Sequence, residues 1–188
     1  MKESRRKILF LDIDGVLNCH LSMSYWSPEH PRTYRIDEIC WGNLQYVLDS
    51  DPDIEVVIHS GWIKTKDNPE ATWDMGTGDP NIFVKSLLPE VVERLGPRFI
   101  GYVPYIKGGN KFHRILTWLC DNGFDPIHME EENVTIVVVD DENTMRTNLR
   151  QLRNFNICVR FTDPQFGLEK NDAEYIKSVF AGKEGGLR

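Results

Sequence analysis

Cysteine is sparse and scattered in this chain. Cys19, Cys40, Cys120 and Cys158 contain no Cys-x-x-Cys pair, which gives neither a disulfide framework nor a zinc-ribbon spacing. Long apolar runs are also lacking. No stretch reaches the roughly 18 residues of a membrane span, and no signal-type apolar region precedes Asp12, so the expectation is a reduced, cytoplasmic protein with no membrane contact. Positive charge is short: 22 Lys and Arg face 29 Asp and Glu, a formal charge of −7. Wholesale wrapping of nucleic acid needs clustered cations and is excluded, while a local basic funnel stays open. The five histidines show no H-E-x-x-H spacing, so zinc is not expected, and His59 and His113 read as supporting groups. The run "KGGNK" (107–111) falls short of G-x-x-x-x-G-K-[ST], which removes a nucleoside-triphosphatase reading of that loop. Internal repeats and low-complexity blocks are absent.

What is present is an ordinary globular composition, 40 % hydrophobic and 27 % charged, with a length that suits one domain. Short β-branched or aromatic runs at 7–12, 54–59, 98–102, 134–140 and 156–161 read as strands apolar on both faces, the kind that lie inside a sheet. Between them Ile36, Ile39, Cys40, Leu44, Val47 and Leu48 recur at helical spacing, as do Phe112, Ile115, Leu116 and Leu119, with Gly123 as a stop. Weaker helical patterns cover about 81–95, 144–153 and 171–181. This alternation predicts a doubly wound α/β fold: a mainly parallel, Rossmann-like sheet with helices on both faces and right-handed crossovers. Residues 1–188 are read as one domain, with its core over about 7–181 and a frayed tail at 182–188. Turn-rich stretches interrupted by Pro at 18–35 and 64–80 are expected to be long loops or small insertions, enough for a flap and too short for a large cap.

In open α/β sheets, ligands bind outside the carboxyl ends of the strands, and the polar outliers of this sequence fall there. The run "ILFLDIDGVLN" (8–18) delivers Asp12 and Asp14, the second strand delivers Ser60, and "VVVDDEN" (137–143) delivers Asp140 and Asp141. A single Asp after a strand serves equally well as a helix N-cap or turn former. Two acidic pairs at one sheet edge, however, repel each other unless a cation sits among them, and oxygen donors with no thiolate favour Mg²⁺. Gly15 follows the first pair, where a positive φ or the close approach of backbone to a ligand favours a residue without Cβ.

These stretches carry a family resemblance. The runs "DIDGVLN", "VVIHSGW", "GGNKFHRIL" and "VVVDDEN" resemble, in family order, the four motifs of the haloacid dehalogenase-like (HAD) phosphatase superfamily. The resemblance extends from about residue 7 to about 170, and "FGLEKNDAEYI" is similar to the end of small capless members, especially the HAD domains associated with RNA repair proteins. It implies that Asp12 is a nucleophile forming an aspartyl-phosphate, and that Asp14 is the general acid that protonates the leaving oxygen and then activates water. It also implies that Ser60 hydrogen-bonds a phosphoryl oxygen and that Lys111 neutralises nucleophile and phosphate together. Mg²⁺ is then held by the Asp12 side chain, the backbone carbonyl of Asp14, and Asp140 and Asp141.

Substrate choice is expected from Gly15, Gly61, Trp62 and Lys64 around this chemistry. Trp62 and Lys64 lie just beyond Ser60, and Tyr25 and Trp26 follow the first motif. Aromatic faces beside a cation suit a stacked base and a second phosphate, whereas rings that only pack the loop are the plain alternative. Lys64 stands where the RNA-repair-like members are expected to carry Arg. An open, capless mouth admits a phosphorylated nucleic-acid 3′ end or a nucleotide, with small metabolites and phosphoproteins as the alternative substrates. A receiver-type phosphoacceptor domain uses similar groups but places its acidic pair on the first strand and its Lys last, whereas here "DD" follows Lys111. A non-catalytic phosphate-binding protein on the same fold is the remaining rival.

Overall fold

The computed structural model describes residues 5–21, 35–66, 86–106, 110–128, 132–141 and 157–183, and within these not the side chains of Lys64, Thr65 and Ile127. Five strands, β1 (Arg6–Leu11), β2 (Ile54–Ile58), β3 (Phe99–Tyr102), β4 (Val134–Asp140) and β5 (Ile157–Phe161), form one sheet in the order β3-β2-β1-β4-β5. All its pairings are parallel. Helices α1 (Glu38–Leu48), α2 (Leu88–Leu95), α3 (Lys111–Asp121) and α4 (Lys170–Phe180) accompany it. This is an open, Rossmann-like α/β sheet, and among the described residues there is no cap. Among those residues, too, no helix is long and apolar enough to cross a membrane.

The apolar runs become central strands because both of their faces are covered. Leu9 stands between Val56 and Val137, and Leu11 between Ile58 and Val139, and Ile8 to Leu11 are wholly buried. The expectation that every strand lies inside the sheet needs correction at its ends. Both β3 and β5 have a neighbour on one side only among the described residues, and all four residues of β3 are half-buried. Its register against β2 also shifts between Val56 and Val57.

Side-chain caps set where two helices begin. Asp37 Oδ1 accepts from the N–H groups of Ile39 (2.9 Å) and Cys40 (3.1 Å) at the start of α1, and Asn110 Oδ1 accepts from His113 N–H (2.9 Å) at the start of α3. The buried stripe of α1 is Cys40, Trp41, Leu44, Val47 and Leu48. Ile39, expected on that face, is 77 % exposed, because a 100° step per residue carries it off the stripe. Helix α3 lies on the sheet through Trp118, edge-on to Phe10 at 5.3 Å. The pattern over 81–95 is helical from Leu88, with Pro89 in the first turn. The expected helix at 144–153 and most of the loops at 18–35 and 64–80 lie outside the described residues, as do 81–85 and the tail beyond 183.

Strand order reverses at β1. The chain continues from it to β2 and β3 on one side, and later fills β4 and β5 on the other. A crevice at the carboxyl ends of β1 and β4 follows from this topology, and it is the place where an open α/β sheet binds its ligand. Asp12 and Asp140 both stand there.

Candidate active site

Asp12 is the first residue past β1, yet its N–H still donates to Val139 O (3.1 Å). The hydrogen-bond ladder joining β1 to β4 therefore positions it. Its side chain is buried, and Oδ1 accepts from Ile13 N–H (2.7 Å). The chain then curls over itself: the N–H groups of Val16, Leu17 and Asn18 all donate to Ile13 O, while Ile13, Val16 and Leu17 are buried as an apolar plug. Gly15 sits at φ +67, and a Cβ there would run into the Asp141 carboxylate. The glycine thus serves twice, allowing the left-handed turn and letting the acid that follows β4 come close.

Lys111, the first residue of α3, bridges the two strand ends. Its Nζ donates to Asp12 Oδ2 and lies 3.2 Å and 3.1 Å from the two carboxylate oxygens of Asp140. Asp140 is wholly buried and the Lys111 side chain only 13 % exposed. His59, also buried, donates from Nε2 to Val139 O (3.1 Å) and places Nδ1 3.5 Å from Asp140 Oδ2. Carboxylate oxygens of Asp12, Asp140 and Asp141 all lie within 4.8 Å of one another. Asp12 and Asp140 therefore share one ammonium. A divalent cation would close that charge, and an all-oxygen donor set with a glycine-made space at Asp141 suits a hard one. The residues present fit such an ion.

Asp14 is treated differently. Its side chain stays out of the three-carboxylate cluster, and Oδ1 accepts from Asn18 Nδ2 (2.8 Å) and from Trp62 Nε1 (2.9 Å). Burial pushes its carboxyl above the ordinary range and the Asp12 charge adds to this, against the hydrogen bonds from Asn18 and Trp62 and the charge of Lys111. Two carboxylates two residues apart thus have environments suited to different tasks. Both of these donors take Oδ1. The structure corrects the expectation for Trp62. Its ring is 2 % exposed and offers no face for a base to stack on; the indole N–H instead positions Asp14.

Ser60 is buried at the end of β2, and its Oγ accepts from Trp62 N–H (3.4 Å) as the cap of the 3₁₀ turn Gly61–Thr65. His59 N–H donates to Leu11 O (3.0 Å), which brings this end of β2 level with Asp12. Gly61 is half-buried in the turn, and the backbone of Lys64 belongs to the same turn while its side chain is outside the description. Tyr25, Trp26 and the "KGG" before Asn110 are outside it as well. Two contributors went unmarked by sequence reasoning. Asn18 is wholly buried, and the signal for it was a polar residue four places after Asp14 in an otherwise apolar turn. Thr162 follows β5, donates its N–H to Asp140 O (3.0 Å), and donates from Oγ1 to Gly15 O (2.8 Å), tying the acid loop to the sheet.

Comparison with curated proteins and with solved structures gives no significant match. A family model described as the HAD domain in Swiss Army Knife RNA repair proteins does match, over residues 8–173, a span that holds every residue of the site. By that match the chain belongs to the HAD domains of Swiss Army Knife RNA repair proteins, a membership that implies hydrolysis of the phosphatase type.

Proposed function

We propose that this chain is a Mg²⁺-dependent phosphomonoesterase that works through an aspartyl-phosphate on Asp12, with nucleotides or nucleic-acid 3′-phosphate ends as substrates. The observation that carries the reading is the unequal pair of acids: Asp12 paired with the Lys111 ammonium beside Asp140, and Asp14 held by Asn18 and Trp62 with its carboxyl pushed by burial above the ordinary range. An Asp12 oxygen attacks phosphorus as the bond to the leaving oxygen breaks, and Asp14 Oδ2 gives that oxygen its proton. Asp14, now a carboxylate, takes a proton from water; the water oxygen attacks phosphorus, which frees Asp12 and inorganic phosphate. Lys111 offsets the charge that gathers on the phosphoryl oxygens, and Ser60 donates to one of them. The Asp12, Asp140 and Asp141 side chains with the Asp14 carbonyl would hold Mg²⁺, which supplies positive charge to the same oxygens.

The family's place in RNA repair proteins favours a phosphorylated RNA end over a small metabolite or phosphoprotein. The test is phosphate release from 3′-phosphorylated oligonucleotides, 3′- and 5′-mononucleotides, sugar phosphates and a phosphopeptide, each with Mg²⁺ or with EDTA. The expected result is Mg²⁺-dependent turnover concentrated on oligonucleotide ends or nucleotides. Turnover confined to sugar phosphates or the phosphopeptide would overturn the substrate reading, and none on any compound would overturn the catalytic one.

A further inference from the structure

A second cluster lies on the far side of the acid loop. Cys19, one residue past Asn18, is buried together with Cys40 of α1, and Asp37, the cap of that helix, stands half-buried beside them. One donor atom from each lies within 4.8 Å of the other two. The Cys19 thiol donates to Asp37 Oδ2 at 3.7 Å. On one tetrahedral zinc, a thiolate sulfur and a carboxylate oxygen at bond lengths of about 2.3 and 2.1 Å stand roughly 3.6 Å apart. Asp37 Oδ1 is occupied by the N–H groups of Ile39 and Cys40, so Oδ2 is the oxygen turned to the sulfurs, and those two backbone donors hold it there. A third segment makes room for the other sulfur. The Cys40 thiol donates to Phe166 O (3.4 Å), and the next residue, Gly167, has φ +71 and passes so near that a Cβ would collide with Cys40 Sγ.

We propose that Cys19, Asp37 and Cys40 form a binding site for a soft divalent cation, Zn²⁺ being the best match, distinct from the all-oxygen cluster of Asp12, Asp140 and Asp141. Two thiolates with one carboxylate are a borderline-soft donor set, whereas three carboxylates are a hard one, so the two sites sort their ions by chemistry. The three residues leave a fourth tetrahedral position to water. On binding, two S–H bonds break, two metal–sulfur bonds form and two protons pass to solvent, with no oxidant involved. A Cys19–Cys40 disulfide is the competing fate of the two sulfurs. The sequence hid the site because its members have no zinc-type spacing; the turn at Ile13 and the start of α1 bring them together. A cation here ties the loop that carries Asn18, and through it Asp14, to the first turn of α1. The inference stands independently of the phosphatase reading.

The test is titration of the reduced, full-length chain with Co²⁺ in excess Mg²⁺, which keeps the hard cluster occupied, followed by absorption spectroscopy. The expected result is one equivalent of Co²⁺ giving a thiolate-to-metal charge-transfer band that Zn²⁺ then displaces. Cys40→Ser should abolish that band, while Cys120→Ser and Cys158→Ser should leave it intact. Asp37→Asn keeps an equally good helix cap and should weaken Co²⁺ binding by about tenfold or more, as loss of a supporting carboxylate commonly does, with the circular dichroism unchanged. Absence of a band, a band that survives Cys40→Ser, or a protein that loses two hydrogens to a Cys19–Cys40 disulfide while Co²⁺ is present would each overturn the proposal.

Discussion

The two ends of one parallel sheet treat charge in opposite ways. At the amino end of β1 and β2, Lys7 pairs with Asp51 and Arg6 with Glu55, while Arg98 donates to the carbonyls of Leu48, Asp51 and Ile54. Each acid there has its own cation and partly faces water, and the Lys7 hydrogen bond holds the Asp51 carboxyl below its ordinary range. At the carboxyl end, the buried Asp12 and Asp140 share Lys111, with the half-buried Asp141 beside them. Matched, wet pairs contribute little to stability, and buried, undercompensated acids oppose it. By that measure the crowded end is not what holds the fold.

Replacing Asp12, the proposed nucleophile, should give the largest effect. Asp12→Asn is expected to slow phosphate release by at least about a thousandfold with the circular dichroism retained. Next comes the lysine. Lys111→Met leaves Asp12 and Asp140 buried without their cation and should cost about 3–5 kcal/mol in urea unfolding, whereas Lys7→Met at the other end should cost under about 1 kcal/mol. Equal costs would break the comparison of the two ends.

Trp62→Phe sharpens it at the level of one hydrogen bond. The ring is kept and the donor to Asp14 is lost, so Asp14 should move further above the ordinary carboxyl range, and the alkaline limb of kcat/KM should shift to higher pH, with a loss in rate of about tenfold. A limb that stays in place would separate the indole from Asp14.

The smallest effects are in the pH dependence of stability, and the two ends should slope in opposite directions. Asp14 is raised in the folded state, so its contribution is present at low pH and is lost as pH rises from the ordinary carboxyl range through its raised value. Asp51 is lowered, so its contribution is present above its unfolded value and is lost as pH falls through the lowered one. Asp14→Asn should remove the first loss and Asp51→Asn the second, each read from urea unfolding across the acid to neutral range. Slopes of the same sign would contradict the assignment.

How much of this was legible in the sequence depends on which physical signal carries each part. Apolar runs such as Ile8 to Leu11 and Val134 to Val139 announce strands covered on both faces, because burial leaves no polar position to alternate with. The acids after them stand out for the converse reason. Strand position is less legible: the run at 98–102 resembles the others, yet β3 lies at the edge, since composition does not say how many neighbours a strand has. Direction is the least legible. Proximity of Trp62 to Ser60 is a matter of counting residues, but only the turn Gly61–Thr65 decides that the indole N–H points inward to Asp14 and not outward to a base. Asn18 and Thr162 escaped notice because each acts through backbone or side-chain hydrogen bonds to the loop, at spacings no short motif records.

The most direct test of the account is stereochemical. A phosphorothioate monoester made chiral at phosphorus with two oxygen isotopes is hydrolysed in water carrying the third, and the configuration of the released thiophosphate is determined. Attack by Asp12 followed by attack of water is two in-line displacements, each inverting the centre, so the account predicts net retention. Net inversion would mean that water attacks the substrate directly, and Asp12 would lose its assigned role as the group that takes the phosphoryl.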